Sequence, residues 1–238
     1  RGLGDVYKRQ EWNAEFELDA QEEYEKVIEK ELYPMNGSLK MGEVVRKVSE
    51  ATGNDAVLVT DVGQNQMMGV RYFKYKRTRS VVTSGGLGTM GFGLPAAMGA
   101  KFGAPDRTVC FFTGDGGMQM TIQELGTIMQ EKLDVKIIIL NNNFLGMVRQ
   151  WQTLFYEQRY SQTILNDGVD FVKVSEAMGA KAIRVTKMEE VEPALKMALS
   201  SEGPVVLDCW IDQDLSVYPM VPAGASLDEV FDEEDVKK

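Results

Sequence analysis

The 238-residue chain is 44% hydrophobic and carries a net charge of −10, concentrated in residues 11–31 and 227–238 while residues 32–226 are close to neutral. It has no histidine, and its two cysteines, Cys110 and Cys209, lie inside apolar runs, so a zinc site, a histidine-based hydrolase triad and a disulfide framework are excluded. No apolar run reaches 18 residues and the amino terminus is not signal-like; the expectation is one large α/β domain, cytoplasmic, with neither a membrane nor a nucleic-acid partner.

Residues 1–10 show no helical or strand period and are expected to be a non-native leader. Residues 11–37 are expected to be a charged helical linker, the end of a middle domain otherwise missing, broken by Pro34, Asn36 and Gly37. From Ser38 to residue 226 the chain alternates between short apolar runs and helical patterns. Ser38 is expected to cap a helix reaching Ala51, followed by a strand over Ala56–Thr60 that ends on Asp61-Val62-Gly63-Gln64-Asn65-Gln66. A shorter strand near Val81–Thr83 leads into the glycine-rich run Gly85–Gly91 and a small-residue helix through Ala96 to Phe102. Next come a strand over Thr108–Phe112, Gly114-Asp115-Gly116-Gly117, a helix whose Thr121 and Glu124 have capping-box spacing, and a strand over Val135–Leu140 ending on Asn141-Asn142-Asn143. A helix over Asp170–Met178, a strand over Ala182–Val185, a helix from Glu189 to Leu199 and a strand over Val205–Trp210 complete the pattern. Residues 227–238 are expected to be a solvated acidic tail. Six apolar runs separated by helices predict an α/β fold with a doubly wound, mainly parallel six-stranded sheet flanked by helices.

The unit from Thr108 to Asn143 is the most informative. A helix of about a dozen residues at about 1.5 Å per residue returns the chain to the level at which the first strand ended, so Asp115 and Asn142 are expected side by side. In open parallel sheets ligands bind beyond the carboxyl ends of the strands. There a carboxylate and an amide oxygen, completed by a backbone carbonyl and phosphate oxygens, match the hard donor shell of Mg²⁺. Glycines at the strand end allow the backbone to approach a diphosphate, and a helix N-terminus favours an anion. Gly86, Gly88 and Gly91 formally match a dinucleotide fingerprint, but no acidic residue follows at the expected distance of about 20 residues. A Rossmann site is therefore not expected.

The Gly-Asp-Gly run ending in Asn-Asn resembles the cofactor motif of the thiamine-diphosphate enzymes. The stretches DVGQNQM, TSGGLGTMGFGLPAAMGA, GDGGMQMTIQELGTI, LNNNFLGMVRQWQ, FYEQRYS and GPVVLD together resemble, more narrowly, the carboxy-terminal domain of the acetolactate synthase (acetohydroxyacid synthase) catalytic subunit, over residues 34–230. The resemblance implies the thiamine-diphosphate-binding fold, thiamine diphosphate and Mg²⁺ as cofactors, and FAD in the full-length enzyme. It implies Asp115, Asn142 and the Phe144 backbone carbonyl as metal ligands. Gln64, Asn65, Gln66, Gly88, Met90, Gly114, Gly116, Gly117, Asn142, Gly146 and Met147 would contact the cofactor, with Met90 helping to bend it. Met147 and Trp151 would line the acceptor side. The implied reaction is decarboxylation of pyruvate and transfer of a two-carbon unit to pyruvate or 2-oxobutyrate, in branched-chain amino-acid biosynthesis. Implied partners are small 2-oxoacids, a second copy in a homodimer or homotetramer, and a regulatory subunit.

The family commonly has histidine where this chain has Asn65. No catalytic residue is assignable, because the glutamate that activates the cofactor belongs to the family's amino-terminal domain, and the chain is expected to be a fragment, inactive alone. Two alternatives stay open: the diphosphate-binding subunit of another thiamine-dependent 2-oxoacid decarboxylase or oxidoreductase, and a non-catalytic nucleotide-binding or interaction module. Met147 and Trp151, four residues apart, also fit an ordinary apolar helix face.

Overall fold

The computed structural model describes residues 4–35, 38–165, 168–213 and 215–236. The chain divides into two compact units, Gly37–Val217 and a smaller one made of Arg1–Asn36 with Tyr218–Lys238.

In the larger unit six strands form one all-parallel sheet: β1 (Val57–Thr60), β2 (Val81–Val82), β3 (Val109–Gly114), β4 (Val135–Asn141), β5 (Lys181–Val185) and β6 (Val205–Trp210). Their order is β2-β1-β3-β4-β6-β5. The central strands bury both faces, which is why β4 (VKIIILN) is apolar from Ile137 to Leu140 and every one of its residues is buried. The chain runs outward from β1 to β2 and returns past β1 to β3, so the winding reverses between β1 and β3. A crevice opens beyond their carboxyl ends at that reversal.

Helices of this unit cover both faces. On one, α5 (Gly93–Gly103), α6 (Asp115–Thr121), α7 (Glu124–Gln130) and α9 (Phe171–Ala177) bring Leu94, Ala97, Met118, Leu125, Ile128 and Phe171 onto Val57, Val59, Phe111, Ile137, Ile139 and Val206. On the other lie α3 (Met41–Ala51), α4 (Gln64–Tyr72) and α10 (Met188–Ser200). There Phe73, just past α4, meets Phe112 edge-on at 6.1 Å between ring centroids. Between α7 and α9, α8 (Gly146–Phe155) follows β4 closely and carries residues of the crevice.

In the smaller unit, α1 (Gly4–Glu23) continues through a π-helical turn at Tyr24–Ile28 into α2 (Glu29–Leu32). The stretch expected to be a non-native leader is helical from Gly4, continuous with the charged helical stretch expected from residue 11. Trp12 and Phe16 stack on one another at 5.6 Å yet stay 62% and 60% exposed. A 3-10 turn at Leu227–Glu229 and the short α11 (Glu233–Val236) follow a bridge between Met220 and Phe231, and Lys30 pairs with Glu234 at 3.2 Å. Among the described residues no helix is long and apolar enough to cross a membrane.

Three local expectations are corrected. Ser38 does not cap α3: Lys40 occupies that position, and the Ser38 hydroxyl donates to Asp212 at 3.4 Å. Thr121 and Glu124 form no capping box, because the helix starts at Asp115 itself and breaks at Ile122-Gln123. Thr121 Oγ1 instead donates to the Gly91 carbonyl at 3.2 Å. Gln64, Asn65 and Gln66 do not belong to a loop; they form the first turn of α4.

Candidate functional site

The crevice holds a cavity of about 190 Å³ whose lining includes Gln64, Asn65, Gly88, Met90, Gly114, Asp115, Gly116, Gly117, Asn142, Phe144, Gly146 and Met147. Four segments distant in sequence thus meet at the strand ends. Gln66 does not line it: its amide donates to the Thr83 hydroxyl at 2.8 Å. Trp151 lies further along α8, edge-on to Phe155 at 5.2 Å, and lines an adjoining open groove of about 680 Å³ with Met147 and Arg159. Met147 borders both spaces.

Asp115 is the first residue past β3 and is 2% exposed. Its Oδ1 accepts the Gly116 N–H at 3.1 Å, whereas its Oδ2 is buried with no hydrogen-bond partner. Burial pushes the Asp115 carboxyl up to about 7; the hydrogen bond from the Gly116 backbone opposes that rise and the nearby charge of Asp208 adds to it. The pairing of Gly114 with Leu140 brings the loop after β4 alongside Asp115. Across from it, Asn142 is 4% exposed; its Oδ1 accepts the Phe144 N–H at 3.1 Å and its amide nitrogen faces Gln64 Oε1 at 3.4 Å.

A buried carboxylate oxygen with no donor, lining one cavity with an asparagine side chain at a sheet's carboxyl edge, belongs to a donor set for a hard cation. Among the described residues no cluster of three or more His, Cys, Asp or Glu side chains could hold a metal. With a single carboxylate the site therefore fits Mg²⁺ whose remaining positions are filled by phosphate oxygens and water, not a self-sufficient metal cage.

Close packing explains two glycines. A Cβ on Gly117 would sit 2.9 Å from the Asp61 carboxylate and from Thr113 Oγ1, and one on Gly146 would sit 2.1 Å from Gln64 Oε1 and 2.9 Å from Asn142 Nδ2. Only glycine permits these approaches. The segment after α8 folds back over the Asn-rich loop: Leu145 N–H donates to the Thr163 carbonyl at 2.8 Å and Leu165 N–H to the Asn143 carbonyl at 2.9 Å. Arg149 lies between the rings of Phe144 and Tyr160, 4.1 and 4.0 Å from their centroids, fixing the residue whose backbone carbonyl the resemblance nominates as a ligand.

Three residues of the site escaped the sequence reading. Asp61, fully buried past β1, accepts the N–H groups of Val62, Gly91 and Gly93 at 2.8, 3.0 and 3.1 Å, tying the glycine-rich loop to β1. Gln150, 2% exposed on α8, bonds both backbone groups of Val217 at 2.9 Å and accepts from Gln64 Nε2 at 2.9 Å. Gln64 thus spends its amide on protein groups, Leu215 O included at 2.7 Å, which makes it a brace for Asn142. Asp208 is the third. The one available signal was that Asp61, like Asp115, stands directly after a buried strand. Asn65 donates to the Val62 carbonyl at 2.9 Å and leaves Oδ1 buried without a partner.

Residues 61–209 match the family model described as thiamine pyrophosphate enzyme, C-terminal TPP binding domain. The chain is 44% identical over 189 residues to the acetolactate synthase isozyme 2 large subunit of Escherichia coli, covering 79% of this chain and 34% of that protein. It is 50% identical over 192 residues to the acetolactate synthase large subunit of Corynebacterium glutamicum, covering 79% and 31%. Among solved structures, a thiamine diphosphate-dependent 4-hydroxybenzoylformate decarboxylase of Rhodococcus jostii RHA1 matches with a TM-score of 0.69 and 28% identity, over 75% of this chain and 34% of that one. The chain spans about a third of the length of the curated relatives it matches. The six parallel strands, the crevice and the family match agree, and the chain belongs to the thiamine pyrophosphate enzyme family as a C-terminal TPP-binding domain, similar to that of acetolactate synthase large subunits.

Proposed function

We propose that this chain forms the diphosphate-binding wall of an acetolactate synthase, joining two 2-oxoacids with loss of CO₂. The observation that carries this reading is the unpartnered, buried Oδ2 of Asp115 facing a glycine-lined cavity with Asn142, in a chain half identical to one acetolactate synthase large subunit over 192 residues. Asp115, Asn142 and the Phe144 carbonyl would hold Mg²⁺. Gly116 and Gly117, which line the cavity, would lie against the phosphate groups, and Gly88 and Met90 would border the aminopyrimidine. When bound, thiamine diphosphate supplies the carbon nucleophile and electron sink needed to decarboxylate a 2-oxoacid. The protein's share is positioning and exclusion of water: Asp61 fixes the glycine-rich loop, Gln64 braces Asn142, and Arg149 holds Phe144. Met147 and Trp151 would receive the second 2-oxoacid, where one methylene is worth about 1–3 kcal/mol and biases acceptor choice without making it absolute.

The described cavity lining contains Asp115 as its single carboxylate and no glutamate. Proton transfer at the cofactor ring therefore needs a group from elsewhere, and we expect no turnover from this chain alone. FAD, assembly as a homodimer or homotetramer and a regulatory subunit belong to the same reading, supported by the similarity to large subunits. The test is a full-length enzyme bearing this segment. It should form acetolactate from pyruvate; simple decarboxylation to the aldehyde without acetolactate would favour the decarboxylase class represented by the Rhodococcus structure, and binding of ATP or NAD alone would favour a nucleotide module.

A further inference from the structure

The Asn141 side chain, at the end of β4 and next to Asn142 in sequence, is 4% exposed. Its Nδ2 donates to Asp208 Oδ1 at 2.9 Å, and its Oδ1 accepts the Asn143 N–H at 3.2 Å. An amide side chain can be placed either way round, and the partner decides. A carboxylate only accepts, so Asp208 takes the amide nitrogen and turns the oxygen toward Asn143. Asn143 needs that support because its backbone adopts the left-handed region, φ +59°, which is uncommon outside glycine. The same turn carries Asn142 and Phe144, two of the three proposed cation ligands.

Asp208 is itself held. Fully buried on β6, it accepts from Arg184 Nε at 3.2 Å and Trp210 Nε1 at 3.1 Å through Oδ2. Arg184 lies over the Trp210 ring, 4.8 Å from its centroid, and also reaches Asp170, the N-cap of α9, at 2.7 Å. A chain of charge-assisted bonds thus runs from the far edge of the sheet, β5, through β6 to the turn after β4.

We infer that Asp208 is a positioning residue for the cation-binding turn, acting through the orientation of the Asn141 amide. This rests on the Mg²⁺ and thiamine diphosphate reading above. Outer partners of metal ligands typically contribute 10–100-fold in metal affinity. The test measures Mn²⁺ binding to the 238-residue chain in the presence of thiamine diphosphate, by the loss of the free Mn²⁺ electron paramagnetic resonance signal. Asp208→Ala and Asn141→Ala should each weaken Mn²⁺ binding about tenfold, and the double variant should be no more than about twofold weaker than either. Val206→Ala, a buried truncation on the same strand, should lower the thermal midpoint while leaving Mn²⁺ affinity within about twofold of wild type. Wild-type affinity in folded Asp208→Ala, or an equal loss in Val206→Ala, would overturn the inference. If Asp208→Ala does not fold, Asn141→Ala decides, and unchanged affinity there overturns it as well. Absence of Mn²⁺ binding by the wild-type chain would overturn the inference, while acetolactate formation by the full-length enzyme decides the functional reading separately.

Discussion

At the scale of single residues the site is governed by which polar atoms have partners and which do not. Asp115 holds a buried oxygen with no donor, so in the cation-free protein its carboxyl rises to about 7, against 3.8 unperturbed. Between those values the folded state keeps a proton that the unfolded state has lost, so stability falls as pH rises from about 4 to 7 and is flat above. In EDTA at pH 8, Asp115→Asn should therefore raise unfolding stability, by roughly 1–3 kcal/mol by linkage. It should also abolish stabilisation by Mg²⁺ with thiamine diphosphate; a variant that retains cofactor stabilisation would rule out the ligand role. Gly146→Ala acts by geometry instead, because its Cβ would meet Gln64 Oε1 at 2.1 Å. Displacing Gln64 frees Asn142, and cofactor affinity should drop about tenfold or more, with far-UV circular dichroism unchanged.

At the scale of elements, the strands were legible because burial on both faces leaves a direct record in sequence: β4 and β6 appear as apolar runs interrupted only by Lys136 and Asp208 before their last residues. Their weight should show in denaturation. Ile139→Ala, at a fully buried position of β4, should cost about 2–5 kcal/mol. Trp12→Ala on α1, whose side chain is 62% exposed, should change stability by no more than about 0.5 kcal/mol. Urea unfolding of both variants checks the contrast. Helix α4 escaped the sequence reading for a physical reason. Its buried positions include Gln64 and Asn65, polar residues facing the crevice, so its pattern carries no apolar stripe. Helix α8 buries only Gln150 fully and was visible only as the spacing of Met147 and Trp151. Helix α1 was expected only from residue 11 on; its first turns, from Gly4, carry no apolar period for a sequence reading to register. Asp61, Gln150 and Asp208 act across 30 to 67 residues of sequence, which no local pattern encodes, whereas Asp115 and Asn142 were legible because one βαβ unit brings them together.

At the scale of the whole molecule, the reversal of winding between β1 and β3 places the crevice, and the four segments that meet there carry most of the residues nominated from sequence. One carboxylate cannot hold Mg²⁺ tightly without phosphate oxygens, so cation and diphosphate must bind as a unit. Their mutual dependence is the central claim, and calorimetry of the 238-residue chain tests it most directly. Thiamine diphosphate should bind with Mg²⁺ present and at least tenfold more weakly in EDTA, and Mg²⁺ should not strengthen its binding to Asp115→Asn. Binding of equal strength in Mg²⁺ and in EDTA, or undiminished binding by Asp115→Asn, would contradict it.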